Sequence, residues 1–333
     1  MTADSPALIG RELDLGLGAD EVCRPLIRYW CEAFEDANPI HADEAFARST
    51  PYGEVIAPSP FAASVSRRPF WPVQGGQIFG LIGAVGDELD CPESVVQRIT
   101  FDFFLPLRLG DRVRCVERVI DVSPEKVTAL GTGHFVTLER RYYNHRDELL
   151  SVATPAFLKF RRGSPRKPPV APGVAAAQPA PAPRVTAARP ARAPLSTLRW
   201  ADVHEGDELP PVVVQLTVTR MVQMAYVSRD FNPVHHDLEY ARANGAPHMF
   251  VQWACYAGLF GRFLAEWAGP LAWIQRISFH MQQMACAGDG IVISGMVAKV
   301  REEAGQRLAE ITMKIATEKG TTTPGSAIVR LPS

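Results

Sequence analysis

The sequence lacks several features that would direct its reading elsewhere. Its six cysteines, Cys23, Cys31, Cys91, Cys115, Cys255 and Cys286, form no CxxC pair and no Cys/His set at zinc spacing. A reduced, cytoplasmic setting fits that scatter. The opening residues, MTADSPALIGRELDLGLG, carry acids where a secretory leader needs a basic stretch, and no long apolar run follows them. Secretion is not expected. The longest apolar-rich segment, Met249 to Pro270, is broken by Gln252, Arg262 and Glu266, which a membrane span would hold at high cost. It reads as a buried helix. Net charge is nearly absent too: 35 basic residues against 36 acidic ones give −1, so no overall field favours nucleic acid or an anionic membrane. There is no HExxH, GxSxG, P-loop or complete GxGxxG. No metal and no cofactor are therefore expected.

What is present is a chain of 333 residues, 47% of them hydrophobic, enough for two compact units. Nine of the 28 prolines fall between Arg161 and Ser196, with ten alanines, seven basic residues and no acid. Such a stretch has too few large apolar groups to offset the entropy of ordering, and reads as a linker over 161–196. Removing its seven positive charges from the total of −1 leaves the flanks at −8. They are acidic, and they are copies. Asp36 to Arg48, DANPIHADEAFAR, matches Asp230 to Arg242, DFNPVHHDLEYAR, at seven of thirteen positions without a gap. Farther on, Gln97-Arg98-Ile99-Thr100-Phe101 matches Gln275-Arg276-Ile277-Ser278-Phe279. The offsets, 194 and 178, place an insertion in the first copy, within Arg67 to Ser94.

Each copy has the same predicted order. An amphipathic helix, around Pro25 to Asp36 or Thr219 to Asp230, stops at Asn-Pro, because proline cannot continue it. A long apolar helix follows, from Pro60 in the first copy and over Phe250 to Trp267 in the second. Alternating β-branched and aromatic runs close each copy: Val96–Phe104, Asp111–Val122, Lys126–Asn144 and Glu148–Phe160, then Ile274–Gln282, Gly290–Val300, Gln306–Glu318 and Thr323–Leu331. A helix apolar nearly all round must be wrapped, and sheet is what can wrap it. The expected fold class is α+β, two repeats of a long central helix in a curved antiparallel sheet, with copies at 1–160 and 197–333.

The shared tract D-x-N-P-[I/V]-H sets a carboxylate and an imidazole five residues apart across a fixed turn, a pairing suited to proton transfer. The candidate pairs are Asp36 with His41 and Asp230 with His235. Asn38 and Asn232, beside proline, are candidates for holding the turn or touching substrate. A single Asx-Asn-Pro tract is ordinary turn chemistry; histidine in both copies is what a turn alone does not require.

On these residues, together with YVSRDFNPVHHDLEYARANGAP and IQRISFHMQQMACAGD, the chain resembles the MaoC-like hydratase/dehydratase family of hot-dog proteins. DANPIHADEAFARSTPYGEVIAPSPF in the first copy resembles the family's N-terminal dehydratase domain. The resemblance implies a double hot-dog and an R-specific enoyl-thioester hydratase or 3-hydroxyacyl-thioester dehydratase, a hydro-lyase. The implied substrate is an acyl-CoA or acyl-carrier-protein thioester, handled by a homodimer or hetero-oligomer without nucleic acid or membrane. It also implies the acid/base role for Asp36, His41, Asp230 and His235, and a backbone N–H at Ser59 or Trp253 that polarises the thioester carbonyl. Two departures stand out. Family members usually place glycine before the motif aspartate, whereas Glu35 and Arg229 stand there, so the preceding turn or the local charge must differ. Trp253 occupies a usual glycine position, either as core filler or as a pocket wall. The longer motif match favours the second copy as the working one. A non-catalytic acyl-thioester-binding subunit and a hot-dog thioesterase are the alternatives.

Overall fold

The computed structural model describes residues 5–69, 71, 80–163 and 196–332. The basic linker tract from 164 to 195 lies outside the described residues, as do residues 70 and 72–79.

The first copy runs through strand β1 (Glu12–Glu21), helix α1 (Arg24–Phe34), helices α2 (Ala62–Val65) and α3 (Gly80–Glu88), and strands β2 (Glu93–Phe103), β3 (Arg112–Val122), β4 (Thr132–Tyr143) and β5 (Leu149–Arg161). The second repeats the order: β6 (Glu208–Gln215), α4 (Val218–Ser228), α5 (Trp253–Ala268), β7 (Trp273–His280), β8 (Gly290–Glu303), β9 (Gln306–Thr317) and β10 (Gly320–Arg330). The strands join one antiparallel sheet in the order β1-β3-β4-β5-β2-β7-β10-β9-β8-β6, a short Lys126–Val127 strand pairing with β4 at the side. Each half of that order is the mirror of the other. The two copies therefore meet where β2 pairs with β7.

That seam is built from the repeated QRI[T/S]F tracts. Ile99 lies opposite Phe279, Phe101 opposite Ile277, and Thr100 opposite Ser278. Thr100 and Ser278 are equivalent residues of the two copies, and their hydroxyls hydrogen-bond at 2.8 Å. A two-fold axis thus passes close to them. Arg276 donates to Asp102 beside the axis at 2.5 Å. A single apolar core, containing Phe34, Phe101, Phe260, Ile277 and Val329 among others, runs through both copies.

Local sequence accounts for the helices. In α1, Pro25 sits in the first turn and Ile27, Trp30, Ala33 and Phe34 form the buried stripe. Helix α5 is buried from Trp253 through Leu264, as expected for an apolar helix wrapped on every side. The first copy departs from that plan. The helix in its central core, α2, is only four residues long. Helix α3 has its own small core, with Leu81, Ile82 and Val85 against Val119, Leu138 and Phe157. Its first turn is held by the Glu117 carboxylate, which accepts from the Leu81 N–H at 2.6 Å and pairs with Arg140 at 2.8 Å. Strands β1 and β6, absent from the sequence expectation, are the two ends of the sheet. Edge positions tolerate the glycines of β1 and Pro210-Pro211 of β6, residues that argue against a strand elsewhere.

Two glycines on α5 report how closely the copies meet. A Cβ at Gly258 would lie 2.7 Å from the Phe34 ring, whereas one at Gly261 would meet Pro60 at 3.5 Å, an ordinary contact. Gly261→Ala should therefore be neutral or gain up to about 1 kcal/mol from helix propensity. Gly258→Ala should lose about 1–3 kcal/mol through overpacking. Urea unfolding of the two variants measures the contrast, and equal stabilities would contradict this packing.

Candidate active site

In both copies the motif begins where a helix ends. After α1, Glu35 takes a left-handed conformation (φ 54°), and after α4, Arg229 does the same (φ 57°). The Asp36 N–H reaches back to Cys31 O at 2.8 Å and the Glu35 N–H to Glu32 O at 3.3 Å, the helix-ending pattern that glycine usually serves. The turn is thus kept although glycine is not, at about 1 kcal/mol for each side chain held in this region. What differs is the charge. Glu35 pairs with Arg220 of α4, and its Oε2 lies 3.5 Å from Arg262 Nη1 of α5. The same arginines donate to the last carbonyls of α1, Arg220 to Ala33 O at 3.1 Å and Arg262 to Phe34 O at 3.0 Å. Arg229 instead lies over the Phe231 ring, 5.3 Å from its centroid.

The aspartate and asparagine then fold the next four residues. Asp36 Oδ1 accepts from the Asn38 N–H at 3.0 Å, and Asn38 Oδ1 caps the turn Pro39–His41 by accepting from the Ile40 N–H at 3.2 Å. Asp230 and Asn232 repeat both bonds at 3.3 Å. Both asparagines therefore hold the turn. The histidines are fixed alike. His41 Nδ1–H donates to Ile56 O at 2.7 Å, and His235 Nδ1–H donates to Phe250 O at 2.8 Å, each fifteen residues on. Since a carbonyl only accepts, Nδ1 carries the proton, and neutral imidazole presents a bare Nε2.

The copies diverge at the next step. His41 Nε2 lies 3.9 Å from Asp36 Oδ2, both side chains being buried, and the pair opens on a cavity of about 60 Å³. Its lining includes Asp36, Asn38, His41 and Ser59 of the first copy, and Gly258, Gly261 and Arg262 of α5 with Trp273 of β7 from the second. Ser59 opens a short turn, Ser59–Phe61, that has no side-chain cap. None of Asp230, Asn232, His235 or Trp253 lines this cavity. Trp253 is core filler: 9% exposed, stacked on Phe101 with centroids 6.0 Å apart, and covered by the Arg140 guanidinium. Gln252, at the head of α5, is committed to the Ser228 hydroxyl. Sequence reasoning did not find Arg262 or Trp273 as cavity residues. For Arg262 the signal was there: it is a charge inside an otherwise apolar helix.

The fold and the paired sites define a double hot-dog protein. Three solved structures share it along nearly the whole length: a MaoC-like dehydratase (TM-score 0.72, 19% identity, 99% of this chain and 100% of that one), a MaoC domain dehydratase of Chloroflexus aurantiacus (0.70, 13%, 97% and 95%), and a double hot-dog protein of Mycobacterium tuberculosis (0.61, 14%, 97% and 96%). Residues 7–153 match the model of the FAS1-like dehydratase domain region. Among curated relatives, the "Probable enoyl-CoA hydratase alpha subunit" of Thermomonospora curvata is 35% identical over 167 residues, 46% of this chain and 50% of that protein. The 3-oxo-4,17-pregnadiene-20-carboxyl-CoA hydratase beta subunit of Mycobacterium tuberculosis is 35% identical over 97 residues, 29% of this chain and 75% of that protein. The 3-hydroxybutyryl-CoA dehydratase of Methylorubrum extorquens is 33% identical over 119 residues, 34% and 66%. The chain spans half the length of the first of these relatives. It belongs to the MaoC-like hydratase/dehydratase family. Among the described residues no helix is long and apolar enough to cross a membrane.

Burial gives His235 a pH signature. It is 8% exposed, and desolvation lowers its pKa below the ordinary 6.5, outweighing the Asp230 charge and the Phe250 carbonyl, which raise it. The unfolded chain therefore binds this proton more readily than the folded one. Its contribution is fully present above pH 6.5 and is lost as pH falls from there toward the lower folded value. Between pH 7 and 5 the wild type should lose stability faster than His235→Gln, by up to about 1.4 kcal/mol per pH unit. Urea titrations at several pH values test this, and parallel slopes would contradict it.

Proposed function

We propose that the chain is an R-specific enoyl-thioester hydratase, equally a 3-hydroxyacyl-thioester dehydratase, working from the first copy. The observation that carries this reading is the Asp36–His41 pair, 3.9 Å apart at the wall of a cavity that also holds Ser59. Two acceptors at that spacing can share one water. Its oxygen bonds to C3 of the enoyl chain while the Asp36/His41 pair takes one proton, and the C2–C3 π electrons move toward the thioester. The Ser59 N–H steadies the charge that gathers on the carbonyl oxygen. The same pair then returns the proton to C2. Hydroxyl and hydrogen are added, and no electrons are exchanged with any other group. Run backward, the steps remove water.

The substrate is an acyl thioester of coenzyme A or of a carrier protein, and R stereochemistry follows the family resemblance. A homodimer or hetero-oligomer is in keeping with relatives named as subunits. In this reading the second copy lines the cavity through α5 and β7, and its own Asp230 and Asn232 keep the turn. This reverses the preference for the second copy that the longer motif match suggests.

The test is a panel of enoyl and 3-hydroxyacyl thioesters, crotonyl-CoA included, with gain or loss of water read by mass spectrometry. Asp36→Asn and His41→Gln should each lower kcat by about 10²–10⁴, while Asp230→Asn changes it little. Turnover lost in Asp230→Asn but kept in Asp36→Asn would move the site to the second copy. Free thiol in place of hydrated product would mark a thioesterase.

A further inference from the structure

Where Asp36 stands is decided by how α1 ends. The last four carbonyls of a helix have no partner within it, and in α1 they belong to Cys31, Glu32, Ala33 and Phe34. Two are closed by the chain's own turn, Cys31 O accepting from the Asp36 N–H at 2.8 Å and Glu32 O from the Glu35 N–H at 3.3 Å. The other two are closed by the second copy. Arg220 Nη1 of α4 donates to Ala33 O at 3.1 Å, and Arg262 Nη1 of α5 donates to Phe34 O at 3.0 Å. Cationic donors at this end also complement the helix dipole.

Both arginines share the carboxylate of Glu35, Arg220 by a direct hydrogen bond and Arg262 at 3.5 Å, while Glu266 holds Arg262 Nε at 2.6 Å. The Glu35 side chain is partly exposed, but those of Arg220 and Arg262 are only 15% and 0% exposed, so their bonds to the α1 carbonyls are poorly screened by salt. Glu35 takes φ 54°, which glycine adopts freely and a side chain only at a cost. What the cost secures is a carboxylate between the two arginines. The second copy ends its helix differently. Arg229 has the same conformation, yet its guanidinium lies over Phe231, and the Asp230 N–H turns to the Ser228 hydroxyl of its own helix at 3.4 Å.

Asp36 follows Glu35 directly. Its Oδ1 is taken by the Asn38 N–H at 3.0 Å and its Oδ2 lies 3.9 Å from His41 Nε2, so the carboxylate is tied to the backbone that α1 delivers. We propose that Glu35, Arg220 and Arg262 are positioning residues for Asp36: the arginines of the second copy fix the end of α1 and, through it, the carboxylate that faces His41. The inference rests on the hydratase reading for its kinetic consequence, and its structural consequence is read without turnover.

The test uses Arg220→Gln and Glu35→Gly in the full chain. Each should lower kcat for crotonyl-CoA by about ten- to a hundredfold, the cost of displacing a reacting group by about 1 Å, with KM little changed. Glu35→Gly carries the test even where Arg220→Gln does not fold, because glycine suits the turn. Amide hydrogen exchange is measured alongside at Asn38, whose N–H donates to Asp36, and at Asn232, whose N–H makes the same bond to Asp230. Asn38 should exchange about tenfold faster in both variants, a local opening, and Asn232 should keep its wild-type rate. Wild-type kcat or wild-type exchange at Asn38 in either folded variant overturns the assignment and leaves the hydratase reading intact. Equal acceleration at Asn38 and Asn232 overturns it as well, since a general loosening of the fold moves both. If the wild type hydrates no enoyl thioester, the hydratase reading falls and the two amides decide the assignment by themselves.

Discussion

Strand β2 pairs with strand β7 through two copies of the same five-residue tract, and almost everything else in the molecule depends on that pairing. Thr100 and Ser278 face each other across it and share a hydrogen bond. Either copy alone would leave this strand as an open edge, with its apolar face half covered. Joined, the two sheets become one, and the two helical layers are brought against each other, so that Gly258 of α5 packs on Phe34 of α1. The cavity follows from the same geometry. Asp36 and His41 in its lining come from one copy, and Gly258, Gly261, Arg262 and Trp273 from the other.

A duplicated chain under this constraint cannot change one site without touching the other. Both copies keep the left-handed residue after the first helix, the asparagine-capped turn and the histidine held by a carbonyl fifteen residues on. The capping and histidine bonds are each made within one copy, between residues at most fifteen apart. The differences lie where the copies face one another. Ser59 is small and its equivalent Trp253 is large and stacked into the core. The helix in the central core is sixteen residues long in the second copy and four in the first. Glu35 is held by two arginines from the other copy, whereas Arg229 lies against a neighbouring ring.

Much of this was legible in the sequence, because repeats and alternation are one-dimensional signals. Eight of the ten long strands, both first helices and α5 are anticipated, the start of β4 being expected six residues too early. The two strands missed are β1 and β6, whose glycines and prolines suppress the strand signal and are tolerated only because these strands lie at the ends of the sheet. At Glu35 and Arg229 the sequence shows that glycine is missing but not that the turn survives, since side chains can be held at positive φ by contacts far along the chain. The make-up of the cavity was hidden for the same reason. Arg262 is more than 200 residues from Asp36, and only the seam brings them together.

Closing the seam leaves the composite sheet with two outer borders, β1 and β6. Neither is regular. The pairing of β1 slips twice, between Asp14 and Leu17 and between Leu17 and Glu21, and β6 carries Pro210-Pro211, which have no N–H to offer. Charged side chains, bulges and prolines at a border are what keep one sheet from adding to the next. Fusion of the two copies has thus consumed the one well-matched edge each possessed. Borders this irregular are poor templates for the addition of a further strand.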